Sequence, residues 1–136
     1  MMWKTEEVTD LYLTALCAWR EARGCSDDGI RGVLHVIKNR GRKPSWWGGP
    51  SLASVVLKPM QFSSFNTGDP NATKFPHDGD QIFRKILELA SNVLVGQDED
   101  LTGGATHYHD SSVFPPWALH ATKLAQIGTF TFYKET

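Results

Sequence analysis

The stretch Ala18-Trp19-Arg20-Glu21-Ala22-Arg23-Gly24 organises the whole chain, because it places one carboxylate at the end of a strongly periodic apolar segment. Apolar residues upstream of it recur at the spacing of three and four that defines one helix face. The members of this stripe are Val8, Leu11, Tyr12, Ala15, Leu16, Trp19 and Ala22. The spacing predicts a helix capped by Thr5, running to about Arg23, with Gly24 at its C′ position and a central place in the domain.

Glu21 is the candidate catalytic residue. It continues the apolar row of Leu13 and Cys17, so we expect its carboxylate to be desolvated and to face the negative end of the helix dipole. Both effects favour the protonated acid, which is the form that a general acid needs. The alternative interpretation is an ion pair with Arg20, Arg23 or another cation that holds the helix end.

The composition limits the class of protein. The length of 136 residues predicts a single domain over 1–136, and the 40% of hydrophobic residues is enough for a real core. A formal net charge of −1 argues against a nucleic-acid partner and against a polybasic membrane patch. No run reaches the length of a membrane span, and the acidic N-terminal segment does not resemble a signal peptide. We expect a monomer made in the cytoplasm, with Cys17 and Cys25 as free thiols.

The rest of the chain is predicted to be mainly helical with a little extended structure, that is, α+β. Helices are expected over about 26–41, 51–57 and 82–96, with Ser26 or Asp27 as a cap and Gly41 and Gly96 as stops. A helix of two turns is expected from Pro116 to Ala125. The predicted loops are 41–50 and 66–78, 102–110 is expected to be extended or irregular, and 130–133 is expected to form a short strand or an extended tail.

Three motifs resemble the spore-cortex-lytic (SleB-type) family of cell-wall hydrolases. They occur in the order W-R-E-A-R-G at 19–24, Q-F-S at 61–63 and D-L-T-G-G-A-T-H-Y-H at 100–109, and the ending with Ile127-Gly128 and Phe132-Tyr133 is also similar. In that family the glutamate of E-A-R-G is the catalytic acid. The resemblance implies a lysozyme-like fold with a glycan-binding cleft. It also implies cleavage of the N-acetylmuramic acid to N-acetylglucosamine bond of peptidoglycan, as a lytic transglycosylase.

The sequence departs from the family pattern at Leu101, where the family often has proline, and at His107 and His109. We expect neither a peptidoglycan-binding domain nor an export signal. The chain therefore resembles a bacteriophage endolysin, which would reach the cell wall after the host membrane has been permeabilised.

One carboxylate is sufficient for a lytic transglycosylase. The 6-hydroxyl of muramic acid attacks its own anomeric carbon, so Glu21 can first donate a proton and then accept one, with no metal or cofactor. Neutral groups must hold the substrate, and Gln61, Ser63 and Tyr108 are expected around Glu21. The further candidates for substrate binding are His109 and Trp46.

Three alternatives stay open at this stage. A hydrolytic muramidase needs a second carboxylate, and Asp27 or Asp28 could supply it, although both also suit the cap of the second helix. A zinc-dependent cell-wall peptidase or amidase would use His107 and His109, which share one side of an extended segment. Its third ligand would have to come from His77, Asp78 or His120. A non-catalytic glycan-binding module would use Trp46, Trp47 and Trp117.

Overall fold

The computed structural model describes residues 3–42, 47, 51–58 and 61–135. It contains helices packed beside one small antiparallel sheet, which confirms the predicted α+β class. The elements are α1 (Thr5–Ala22), α2 (Asp27–Gly41), α3 (Leu52–Leu57), a 3₁₀ turn (Ser63–Phe65), α4 (Gln81–Leu94), β1 (His107–Asp110), a second 3₁₀ turn (Pro116–His120), β2 (Ala121–Ile127) and β3 (Phe130–Glu135).

Helix α1 is buried only in its second half. Residues 14–20 are buried among α2, α3 and α4, whereas Val8 and Tyr12 are 50% and 44% exposed. The prediction of a wholly central helix is therefore wrong for its first turns. The helix has Lys4 rather than Thr5 at its N-cap, and it ends at Ala22 with Arg23 as a C-cap of ordinary helical geometry. Gly24 lacks the positive φ of a C′ glycine, so that prediction is also wrong.

Helix α2 lies in the middle of the core. Ser26 caps it as predicted, since its Oγ accepts a hydrogen bond from the Gly29 N–H at 3.2 Å. Gly41 is the last residue of this helix rather than a stop beyond it. Its apolar face is completely buried and consists of Ile30, Val33, Leu34, Val36 and Ile37. At Gly32 the helix approaches the sheet so closely that an added Cβ would lie 2.5 Å from Phe132.

The predictions for α3 and α4 are largely confirmed. Ser51 caps α3 through a capping box with Ser54. Asp80 caps α4, and Gly96 follows that helix with a φ of +81°. The predicted stripe of α4 is wrong at Ile82, which is 43% exposed, because Phe83 takes the buried position instead.

The sheet has the strand order β1-β3-β2, and both strand pairs are antiparallel. β3 confirms the predicted final strand, and Tyr108 of β1 pairs with Phe132 of β3. The predicted helix from Pro116 to Ala125 is wrong, since only a 3₁₀ turn forms before β2 begins. Pairing with β3 decides the conformation of this segment, because strand preference depends on the neighbouring strand more than on local sequence.

In the described part of the chain, no helix combines the length and apolar character needed to cross a membrane. Cys17, which is buried in α1, and the half-buried Cys25 are both free thiols.

Candidate active site

The end of α1, the Q-F-S turn and strand β1 converge on one cleft with a volume of about 540 Å³. Its lining mixes aromatic rings with a few charged and amide groups, a composition suited to sugars. The lining residues are Glu21, Arg40, Trp47, Gln61, Phe62, Ser63, His107, Tyr108, His109, Asp110, Val113, Trp117 and Phe130.

Glu21 is half-buried at this cleft, and two donors fix its carboxylate. The Tyr108 hydroxyl donates to Oε1 at 2.7 Å, and the Ser64 backbone N–H donates to Oε2 at 3.2 Å. None of the ion pairs between described residues includes Glu21, so these residues do not show the alternative ion pair at the helix end. The carboxylate is therefore oriented by neutral donors. Its expected protonation stays a prediction.

The two arginines of the W-R-E-A-R-G motif hold the surrounding loop instead. Arg20 donates to three backbone oxygens, those of Ser64 at 3.3 Å, Ala72 at 3.2 Å and Lys74 at 3.1 Å. Arg23 donates to the Asn71 side chain at 3.2 Å. Because these bonds reach 44 to 54 residues along the chain, they fasten the 66–78 loop and the Ser64 turn beside Glu21.

Tyr108 is the hydrogen-bond donor that orients Glu21. Burial and the neighbouring negative charge of Glu21 raise the pKa of the Tyr108 phenol well above its usual value. The hydroxyl therefore keeps its proton and remains a donor. The ring is held by Phe130 and Phe132, with centroid distances of 5.3 and 5.9 Å.

The D-L-T-G-G-A motif supports β1 from behind the cleft. The Asp100 carboxylate accepts hydrogen bonds from Asn39 at 2.9 Å, from the Thr102 N–H and hydroxyl at 2.8 and 2.6 Å, and from Gly104 at 3.1 Å. Burial alone would raise the pKa of Asp100, but the bonds from Asn39 and Thr102 outweigh it and hold the pKa below its ordinary value. The motif is therefore a structural brace that sets where β1, the strand that carries Tyr108, begins.

Asp98, two residues before Asp100, adds further contacts between this brace and α2. Asp98 accepts a 2.7 Å hydrogen bond from His35 and 3.0 and 3.2 Å hydrogen bonds from Arg31. Burial opposes ionisation of Asp98, but these partners lower its pKa overall. His35 is a buried histidine whose ring is satisfied by this bond.

Gln61 and Ser63 both lie at the cleft, where the sequence placed them. Ser63 is exposed, and the backbone of its neighbour Ser64, rather than Ser63 itself, contacts Glu21. Gln61 offers its backbone oxygen to Arg40 at 3.1 Å and its amide oxygen at 3.5 Å.

His107 and His109 also line the cleft, each with protein partners. Nδ1 of His107 is 3.0 Å from the Thr106 hydroxyl. His109 contacts the Asp110 backbone oxygen and the Tyr133 hydroxyl, both at 2.9 Å. Burial and the charge of Arg40 lower the pKa of His107, which favours the neutral ring. In residues 3–42, 51–58 and 61–135 there is no group of three histidine, cysteine or acidic side chains placed to hold a metal.

The structure separates the remaining candidates. Asp27 pairs with Lys85 and Asp28 pairs with Arg31, and neither lines the cleft. Both lie in the first turn of α2, but the side-chain cap that was their alternative role belongs to Ser26. Trp46 lies outside the described residues, whereas Trp47 and Trp117 line the cleft.

Sequence reasoning missed Arg40 and Asp110. Asp110 follows Tyr108 by two residues in the same strand, so strand alternation could have placed both on one face. Its carboxylate accepts from the Ser112 N–H and the Thr129 hydroxyl, both at 2.9 Å, and these bonds lower the pKa of Asp110. Arg40 gave no comparable signal, because arginine near a helix end is usually exposed.

Comparisons with known proteins agree with this architecture. The family model described as Cell Wall Hydrolase matches residues 24–133, so the chain belongs to the cell wall hydrolase family. The match begins at Gly24, just beyond Glu21. The chain is a peptidoglycan-degrading enzyme.

Among solved structures, the chain is similar to the catalytic domain of the germination-specific lytic transglycosylase SleB from Bacillus anthracis. The TM-score is 0.73 at 21% identity, and the similarity covers 97% of each chain. This likeness supports the lysozyme-like fold. A search of curated proteins gave no match.

Proposed function

We propose that this enzyme is an endolysin-like lytic transglycosylase that cleaves the bond between N-acetylmuramic acid and N-acetylglucosamine, acting as a monomer on peptidoglycan strands. The observation that carries the proposal is the Glu21 carboxylate, which lies in an aromatic-lined cleft and is oriented by Tyr108 and Ser64. The resemblance of the E-A-R-G motif to the family's acidic motif supports the same assignment.

In the proposed reaction, protonated Glu21 donates its proton to the glycosidic oxygen as the bond to the muramic anomeric carbon breaks. The 6-hydroxyl of the same muramic residue then attacks that carbon and gives its proton to the Glu21 carboxylate. The products are a free 4-hydroxyl on N-acetylglucosamine and a 1,6-anhydro-muramic end, so no water is consumed. Glu21 returns to its protonated form and serves as both acid and base.

Tyr108 and the Ser64 N–H hold the carboxylate in one orientation throughout this cycle. Gln61, Ser63 and His109 are proposed as substrate contacts along the cleft, because polar groups converging beside aromatic rings are the usual means of orienting a sugar. Trp46, whose placement is outside the described residues, remains a prediction from sequence.

A hydrolytic muramidase is the second candidate, and Asp110 is the observation that favours it. This carboxylate lines the same cleft as Glu21, and its low pKa keeps it ionised. An ionised second carboxylate is what a hydrolytic glycosidase uses to activate water or to stabilise positive charge at the anomeric carbon.

The test of the proposed function is the substitution Glu21→Gln. It should stop clearance of purified cell walls, with a loss of about 10²–10⁴ in rate, because the proton donor is removed while the shape is kept. Glu6→Gln, on an exposed position of the same helix, is the matched control and should clear walls at the wild-type rate. A folded Glu21→Gln variant that retains more than about a tenth of the wild-type activity would move the catalytic role to another residue.

A further inference from the structure

Arg40 is a buried cation in the wall of the cleft. It is only 7% exposed, and its guanidinium lies between two rings, 4.7 Å from the Trp47 centroid and 4.6 Å from that of Phe62. Nε donates to the Thr106 backbone oxygen at 2.8 Å, and Nη1 donates to Gln61. These bonds hold the plane of the guanidinium fixed at the cleft.

The charge of Arg40 lacks a paired carboxylate in the described part of the chain. Its hydrogen-bond acceptors there are neutral oxygens, and Nη2 donates to none of the described residues. Glu21 and Glu135 act on Arg40 only through longer-range attraction, together with the neighbouring Tyr108 and Cys17. Burial lowers the pKa of Arg40, which reflects the cost of holding a cation in this place.

Arg40 lines the cleft and, among the described residues, its Nη2 has no acceptor and its charge has no carboxylate partner, so an anion bound in the cleft would complete it. Arginine's planar fork matches a carboxylate with two parallel hydrogen bonds, which a neutral carbonyl does not balance in charge. In a peptidoglycan strand, the muramic ring carries its carboxyl group on the lactyl ether at C3, and the N-acetylglucosamine ring is neutral. The muramic ring also carries the anomeric carbon whose glycosidic oxygen Glu21 would protonate, so the carboxylate and the reacting carbon belong to the same sugar.

We propose that Arg40 binds the free lactyl carboxylate of muramic acid, so that the enzyme prefers glycan strands whose stem peptides have been removed. This inference rests on the proposed function. On peptide-substituted strands the lactyl carboxyl is an amide, so we expect the enzyme to cleave them more slowly, and a preceding amide-cleaving reaction that frees the carboxylate to raise the rate. Arg40 is then a specificity-determining binding residue beside the acid Glu21.

The test compares two forms of the same substrate. Peptide-free glycan strands carry lactyl carboxylates, and coupling them to methylamine converts these into neutral amides of nearly equal size. The wild-type enzyme should cleave the carboxylate form with a kcat/KM roughly tenfold or more above that of the amide form, because charge-assisted hydrogen bonds are typically worth a factor of ten or more. Equal values for the two forms would overturn the inference and leave the proposed function intact.

Variants then assign the preference to Arg40. Arg40→Gln should reduce the ratio to about one, and Arg40→Lys should keep part of it because the charge remains. Arg42→Gln is the matched control, since Arg42 is the exposed neighbour at the end of α2 and should keep the wild-type ratio. An undiminished preference in folded Arg40→Gln would also overturn the inference. If that variant does not fold, the wild-type comparison and Arg40→Lys decide.

Binding measurements separate this inference from the reaction itself. Calorimetric titration of Glu21→Gln with both strand forms reports the preference without turnover. If the wild-type enzyme cleaves no glycan, the proposed function fails, yet tighter binding of the carboxylate form would still support the role of Arg40. Equal dissociation constants would contradict that role.

Discussion

At the scale of single residues, the catalytic assignment depends on what surrounds Glu21. Its helix position made it a candidate from sequence, but the donors that orient it come from residues 64 and 108, far along the chain. Tyr108 was expected to position Glu21 or the sugar, and its hydroxyl does contact the carboxylate. Local sequence could not select Ser64 over Ser63, because a backbone N–H carries no sequence signature.

Tyr108→Phe isolates this hydrogen bond. The Phe130 and Phe132 contacts are made by the ring, so the fold should survive, whereas kcat should fall by about ten- to a hundredfold with KM little changed. Tyr12→Phe on the exposed part of α1 is the control and should leave both constants unchanged. A wild-type kcat in Tyr108→Phe would show that the hydroxyl does not orient the acid. Steady-state kinetics on soluble glycan fragments makes the measurement.

At the scale of elements, α2 connects the brace behind the cleft to its wall. His35 of this helix bonds to Asp98. One turn later, Asn39 bonds to Asp100 and Arg40 bonds to the backbone just before β1. The helix itself was predictable from its apolar period and its serine cap. Its polar partners were not, because they lie about 60 residues away and only the folded chain brings them together.

Gly32→Ala tests the contact between α2 and β3. An added Cβ would lie 2.5 Å from the Phe132 ring, so that ring must shift and stability should fall by about 1–3 kcal/mol. Gly24→Ala is the matched control, because no atom lies within 4 Å of its added Cβ and its φ is not positive. Thermal melting of both variants gives the result. An equal melting temperature for Gly32→Ala and wild type would contradict the close packing described.

Asp100→Asn tests the brace through its dependence on pH. The folded-state pKa of Asp100 is lowered, so its stabilisation is present above the unfolded value of about 3.9 and is lost as the pH falls through the folded pKa. The variant should be less stable by about 2 kcal/mol at pH 7. The difference from wild type should shrink below about pH 4.

Thermal melting of Asp100→Asn from pH 7 to pH 3 measures this change. Asp78→Asn, at an exposed loop position, should follow the wild-type curve throughout. A stability difference that stays constant over the whole pH range would mean that the Asp100 carboxylate charge does not matter.

At the scale of the whole molecule, the motifs and their order were enough to predict the class of enzyme and the α+β fold. Two failures, in the predicted helix after Pro116 and in the second carboxylate, share one cause, which is pairing between distant parts of the chain. Pro116 opened a predicted helix that became a turn and a strand, because β3 was available to pair with it. The search for a second carboxylate chose Asp27 and Asp28 from proximity in sequence, whereas the sheet brings Asp110 into the cleft.

Mass spectrometry of a peptidoglycan digest tests the central claim most directly. If Glu21 alone carries the chemistry, the muropeptides should end in 1,6-anhydro-N-acetylmuramic acid, which is lighter than a reducing end by one water. Reducing muramic ends would contradict transglycosylation and would assign the water-activating role to Asp110. In that case Asp110→Asn should abolish the formation of reducing ends. Reducing N-acetylglucosamine ends would contradict the account more deeply, because they place the cleavage at the other glycosidic bond of the strand.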